Sequence, residues 1–292
     1  MSLGMKALAA VAGPLLGRPF RTAETLDQSV RAPRPDPAPP RRMAKRCRLT
    51  ERKVDGVAVW DVDPDSVPAS HAVLYLHGGA YTFPISTVHW SLVADVAAGT
   101  SAHVCLPLYG LAPEHTYRDA YPLIEQAFGE LADRFGEDRV TIMGDSAGGG
   151  LALGLAHVLR DRGITPRRVI GISPWLDLTL SNPDVASAAA RDPWLKRPGL
   201  LRAGELWAGG DDPTQPRLSP LRGSLAGLPP ITIYIGDRDL FLPDCRDFTQ
   251  LANAAQSDVR LIVEPGALHV YPLLPVTEGR RARQEILRQL AG

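Results

Sequence analysis

Six short, mostly apolar runs rich in β-branched residues recur along the chain with helical patterns between them, and this alternation constrains the fold more than any other feature. The runs are His71 to Leu76, His103 to Leu106, Arg139 to Met143, Arg168 to Ile172, Ile231 to Ile235 and Val259 to Val263. Their polarity does not alternate, so most read as strands buried on both faces. Helical spacing of apolar residues fills Trp90 to Gly99, Ala120 to Phe135, Ala147 to Arg162, Asp244 to Ala255 and Glu278 to Leu290. Strands with two buried faces, connected through helices, imply a mainly parallel sheet covered by helices on each side. Arg46 to Arg52 and Gly56 to Val62 alternate partially and read as a hairpin-like edge, which brings the sheet to eight strands.

Such a sheet needs a large core, and 292 residues with 45% hydrophobic content supply one. The 32 basic and 32 acidic side chains cancel. Nothing therefore draws the whole chain to a phosphate backbone or an anionic bilayer, and nucleic acid and stable membrane association are not expected as partners. No run of about 18 apolar residues is present to span a membrane. Met5 to Gly17 combines a lysine, a short apolar stretch and small residues, but Arg18 closes it without an AxA site, so it reads as a packing helix rather than a leader. Cys47, Cys105 and Cys245 are widely spaced without a CxxC pair, which suggests neither a disulfide nor a zinc site. The expected location is cytoplasmic.

Two segments break the rhythm. Five prolines between Pro33 and Pro40, followed by Arg41, Arg42, Lys45, Arg46 and Arg48, exclude a helix across the prolines and read as a solvated linker into the first strands. Leu178 to Pro229 is rich in Pro and Gly, holds Trp194 and Trp207 and shows no strand signal. An insertion of that length in a compact fold is usually a lid.

Chemistry concentrates around Ser146. It stands in GDSAGGG, directly after the strand RVTIM and directly before the helical run LALGLAHVL. Strand, sharp turn and helix is the context of a nucleophile elbow, in which glycines at 144 and 148 avoid Cβ clashes and the serine hydroxyl stands exposed at a helix N-terminus. A serine needs a base, and in a sheet of this kind the base follows it in the chain. Beyond Ser146 lie only His157 and His269. His157 is about three helical turns away, some 16 Å, and reads as a helix-surface residue. His269 follows the last strand, at the sheet end where open α/β folds bind ligands, and is the expected base. A carboxylate must orient the imidazole; Asp237 and Asp239 both end the preceding strand, and either could do so. Oxyanion donors are expected from Gly78 and Gly79, where the first long strand runs into HGGA, with the N–H of Ala147 as a third. His77 reads as a strut for that loop.

With HGGA, GDSAGGG, a DxL and a late histidine in this order, the chain resembles the hormone-sensitive-lipase-like family of α/β-hydrolase esterases, which includes carboxylesterases, acetyl-hydrolases and monoterpene lactone hydrolases. LPLYGLAPEH is similar to that family's YRLAPEH segment, with Gly110 in place of the arginine, and SPLRGSLAGLPP to its SPLxxxLxGLPP segment. The likeness covers about residues 71 to 275. It implies an α/β-hydrolase fold with a cap: residues 1–45 as an N-terminal cap segment and linker, and 46–292 as the catalytic domain with a cap insertion at about 180–215. Carried across by position, it makes Ser146 the nucleophile, Asp239 the acid with Asp237 as alternative, His269 the base, and Gly78, Gly79 and Ala147 the oxyanion donors. Tyr81, Asp145, Trp194, Trp207, Leu240 and Tyr271 are expected near the substrate pocket. The implied substrate is a short- to medium-chain ester or a lactone, with no cofactor or metal, and relatives suggest a homodimer through Val259 to Val263 and Glu278 to Leu290.

Overall fold

The computed structural model describes residues 1–65 and 68–292. Its strands are β1 (Cys47–Val54), β2 (Val57–Pro64), β3 (Ala72–Leu76), β4 (His103–Pro107), β5 (Val140–Asp145), β6 (Arg168–Ile172), β7 (Ile231–Gly236) and β8 (Val259–Glu264). They form one sheet in the order β1-β2-β4-β3-β5-β6-β7-β8. The first two make the expected antiparallel hairpin, with Asp55 and Gly56 at positive φ in its turn. β2 lies antiparallel to β4, and every later pair is parallel.

The helices are α1 (Leu3–Leu15), α2 (Ala23–Arg31), α3 (Thr87–Thr100), α4 (Tyr117–Phe135), α5 (Ala147–Asp161), α6 (Val185–Arg191), α7 (Arg197–Ala208), α8 (Leu242–Ala254) and α9 (Thr277–Ala291). Successive strand side chains point to opposite faces, and in the central strands β3, β4 and β5 both faces are buried. Leu74 and Leu76 of β3 join the core that includes α4, α5 and α8, while Val73 and Tyr75 join the core of α3 and α9. The uninterrupted apolar run is thus the signature of a layer covered twice. Each such side chain contributes about 1.5–3 kcal/mol on burial.

The order of strands fixes where a ligand can sit. From β3 the chain moves outward to β4, then crosses back to place β5 on the other side of β3, and continues outward through β8. The carboxyl ends of β3 and β5 therefore flank the switch point, where connections diverge and leave a crevice.

Residues 1–45 are more structured than their sequence suggested. The first helix buries Met5 and Ala12 and is tied to α9 by Glu278, whose carboxylate accepts from the N–H and hydroxyl of Ser2 at 2.5 and 2.7 Å. An unforeseen helix, α2, buries Leu26 and Val30 and lies against α7, with Arg202 paired to Asp27 at 2.9 Å. At Gly199 the chains approach so closely that a Cβ would stand 2.4 Å from Phe20 Cα. The proline-rich stretch is the expected solvated linker, exposed from Pro33 to Ala38 and fixed at two points. Trp90 donates its indole N–H to Pro37 O at 3.1 Å, and Arg34 bonds Ala112 O and Glu114. Arg46 and Arg48 pair with Asp95 and Asp63. No helix among the described residues is long and apolar enough to cross a membrane.

Candidate active site

Ser146 joins β5 to α5 with φ 52° and ψ −120°, a conformation that lifts its side chain out of the sheet. The turn depends on glycines for reasons of space. A Cβ on Gly144 would lie 2.3 Å from Gly148 O, and one on Gly148 would lie 2.1 Å from Leu76 O at the end of β3. Backbone cannot yield there without parting the two central strands. Ser146 N–H donates to Ile172 O at 2.8 Å, which pins the turn to β6.

Across the crevice, His269 Nε2 stands 2.9 Å from Ser146 Oγ, and His269 Nδ1 stands 2.8 Å from Asp239 Oδ2. All three residues are buried. The loop that carries His269 is set by Val270, at φ 49°, whose N–H donates to Ser173 Oγ at 3.0 Å. Ser146, Ser173, Val270, Ala80 and Tyr81 are all non-glycine residues with positive φ. Strain of this kind gathers where surrounding structure holds a functional geometry. Of the two candidate acids, Asp237 faces away from the imidazole and accepts the N–H of Gly266 at 2.7 Å, a turn-forming role. Burial opposes a charge on His269, but Asp239, with Asp192 and Asp145 farther off, outweighs it and raises the ring above its ordinary pKa.

The loop after β3 corrects one expectation. Gly78 N–H donates to Asp145 Oδ1 at 3.0 Å, so it is turned away from any oxyanion. The N–H groups of Gly79, Ala80 and Ala147 have no hydrogen-bond partner among the described residues, and Gly79 and Ala80 line the cavity beside Ser146. The free N–H groups are therefore displaced by one residue from the expected pair, to Gly79 and Ala80. The displacement follows from Gly79 at φ 123°, which turns the peptide, and from Asp145, which also accepts from Tyr75 OH at 2.5 Å and faces His89 Nε2 at 3.2 Å. Asp145 thereby ties β3, α3 and the glycine loop together directly beneath the serine. His77 is the expected strut: its Nδ1–H donates to Gly78 O at 2.7 Å, and its ring stacks on Tyr109 at 4.6 Å. Gly110 leaves room for the His115 ring, which lies 2.3 Å from where a Cβ would begin.

A cavity of about 280 Å³ opens onto Ser146 and His269. Asp145 and Trp194 line it as expected; its other walls include Leu16, Phe20, Leu195, Leu200 and Leu273. Four expected residues do not reach it. Trp207 and Tyr81 are buried against each other, stacked at 4.5 Å with planes 4° apart, and support the glycine loop from behind. Leu240 is packed in the core after the acid, and Tyr271 lies in the core on the α9 side. Aromatic residues close to a motif in sequence were drawn into packing because the motif itself sits on buried strand ends. His157 also needs correction: it is buried on α5 and its Nε2 lies 3.1 Å from Pro220 O. Phe20 and Leu16 carried no sequence signal, since only the fold of the N-terminal segment over α7 brings them to the site. Asp192, buried near Asp239, was missed for the same reason.

Residues 73–273 match a family model described as the alpha/beta hydrolase fold. The chain is 35% identical over 216 residues to an acetyl-hydrolase of Streptomyces hygroscopicus, covering 72% of each chain. It is similar to the crystal structure of EstE5 soaked with p-nitrophenyl butyrate, with a TM-score of 0.85, 27% identity and coverage of 100% and 98% of the two chains. An esterase from the bacterial hormone-sensitive lipase family matches with a TM-score of 0.82 and 27% identity over 100% and 99% of the chains.

Proposed function

We propose, for a chain that belongs to the alpha/beta-hydrolase esterases and is a carboxylic ester hydrolase, that Ser146 is the nucleophile, His269 the base and Asp239 the residue that orients it. The observation that carries this is the continuous line from Ser146 Oγ through His269 to Asp239, at 2.9 and 2.8 Å. As Oγ attacks the ester carbonyl, His269 Nε2 takes its proton, and Asp239 stabilises the imidazolium and holds the Nδ1–H tautomer. The carbonyl oxygen gathers negative charge and is met by the N–H groups of Gly79, Ala80 and Ala147. Preorganised donors of this kind contribute about 2.7–4 kcal/mol each in the transition state. His269 then protonates the leaving alcohol, and water repeats the sequence to free the acid from Ser146.

The wall residues support a substrate class. A cavity of about 280 Å³ with Phe20, Trp194, Leu200 and Leu273 in its lining suits one short to medium acyl chain, or a lactone of similar size. Residues 1–45 and the segment from α6 to α7 act as the cap, because Leu16, Phe20, Trp194 and Leu200 come from them. The outer edge of β8, unpaired among the described residues, supports a homodimer through this strand. Hydrolysis of p-nitrophenyl esters from acetate to palmitate tests the proposal, alongside Ser146→Ala and His269→Ala. Turnover peaking between C2 and C8 and lost in both variants is expected. Turnover that survives in Ser146→Ala would remove the nucleophile assignment, and a peak at palmitate would remove the substrate assignment.

A further inference from the structure

We propose that Asp192, between α6 and α7, is a positioning residue that locks the Asp239 turn and the Trp194 wall of the cavity into one register, joining the cap to the catalytic centre. The proposal deepens the assignment of Ser146, Asp239 and His269 and rests on it.

Asp192 is 2% exposed. One of its oxygens accepts the N–H groups of Trp194 and Leu195 at 2.7 and 2.9 Å. The other accepts the N–H of Leu240, the residue next to Asp239, at 2.9 Å. One carboxylate thus bridges two segments separated by 48 positions in sequence. Both ends of the bridge touch the machinery. Asp239 holds His269 Nδ1, while Trp194 packs edge-on against the His269 ring at 5.5 Å and shares the cavity wall with Leu195.

No cation among the described residues neutralises this carboxylate. Lys196 Nζ goes to the backbone carbonyl of Asp192, and Arg238 reaches the carbonyl of Arg191. The charged groups that act on it are Asp239 and His269. Two buried carboxylates therefore lie close in the fold, Asp239 on the imidazole and Asp192 on the N–H next to Asp239, and the proton that His269 receives from Ser146 relieves their repulsion. Burial and Asp239 hold the Asp192 acid above the usual carboxylate range, with His269 opposing them. Protonation would turn one acceptor oxygen into a donor facing backbone N–H groups and break the bridge. Asp192 is one of the charges that raise the His269 ring, and the three backbone N–H groups it accepts hold it as a carboxylate.

The test measures kcat/KM for p-nitrophenyl butyrate between pH 4.5 and 9 in the wild type, Asp192→Asn and Ser146→Ala, and follows the His269 imidazole by NMR. In Asp192→Asn the acid limb of kcat/KM should move to lower pH, with kcat reduced about tenfold or more and the His269 resonance titrating at lower pH. Should Asp192→Asn fail to fold, Asp192→Glu takes its place, and wild-type kcat with an unmoved acid limb in the folded variant would overturn the proposal. So would a variant that loses melting temperature but keeps the wild-type limb and His269 titration, since that is a purely structural residue. Wild-type turnover in Ser146→Ala would overturn the triad assignment itself, and this proposal with it.

Discussion

Replacing Trp207 with alanine separates a core role from a pocket role, because the two predict opposite readouts. Trp207 is fully buried, stacks on Tyr81 at 4.5 Å and meets Tyr109 at 5.9 Å. Removing a buried indole costs about 3–5 kcal/mol, the lost transfer energy plus the cavity left behind, and the stacked pair accounts for about 0.5–1.5 kcal/mol of that order. At about 2 °C or more per kcal/mol for a chain of this size, the melting temperature should fall by roughly 6 °C or more. Tyr81 directly follows Ala80, so loosening it should also lower kcat by weakening the donor loop. Because Trp207 does not line the cavity, the preferred acyl length should not move. Calorimetry and the p-nitrophenyl ester series measure both quantities on one sample. A melting temperature within about 2 °C of wild type together with a shifted acyl preference would refute the reasoning and return Trp207 to the pocket wall.

Asp239→Asn should leave the fold intact and reduce kcat by about 10⁴, because the amide favours the wrong imidazole tautomer; a loss below tenfold would argue for another acid. The wild-type acid limb should lie above the ordinary imidazole pKa, since His269 must be neutral to accept a proton and its neighbours favour the charged ring; a limb below that value contradicts the assignment. Gly79→Ala would bring a Cβ 2.3 Å from Phe83 O at φ 123°, so kcat should drop about 10²–10³, as for a lost oxyanion donor, and unchanged kinetics would refute the displaced donor set. His77 and His157 are lowered to about 4, mainly by burial, so the unfolded chain takes up protons near pH 6.5 that the folded chain refuses. Stability should fall as pH drops from about 6.5 to 4, by up to about 3 kcal/mol for each ring. Urea midpoints should show His157→Gln losing less over that window than the wild type, at unchanged kcat above pH 7.

Much of the architecture was legible because strand burial leaves a local trace. Apolar runs such as AVLYL and RVIGI have few alternatives once both faces are dry, and the structure places them within one or two residues of their sequence bounds. The helix α2 was passed over because Leu26 and Val30 are its only buried residues, and their partner, α7, is far along the chain. The serine and histidine were legible by elimination, since the glycine turn and the order of the strands leave few residues that can meet.

Choices between neighbours were not legible. Asp237 and Asp239 differ by two positions and point to different partners because one end of the β7 turn faces Gly266 and the other faces His269. Gly78 lost its expected donor role to a carboxylate contributed by another strand. The sequence by itself determined the layers and the strand-to-helix turn at Ser146, because each depends on local spacing and sterics. Only the tertiary structure decided which N–H groups stay free, which aromatic rings become core and which residues of the first 45 reach the cavity, because those outcomes depend on surfaces that meet across the whole length of the chain.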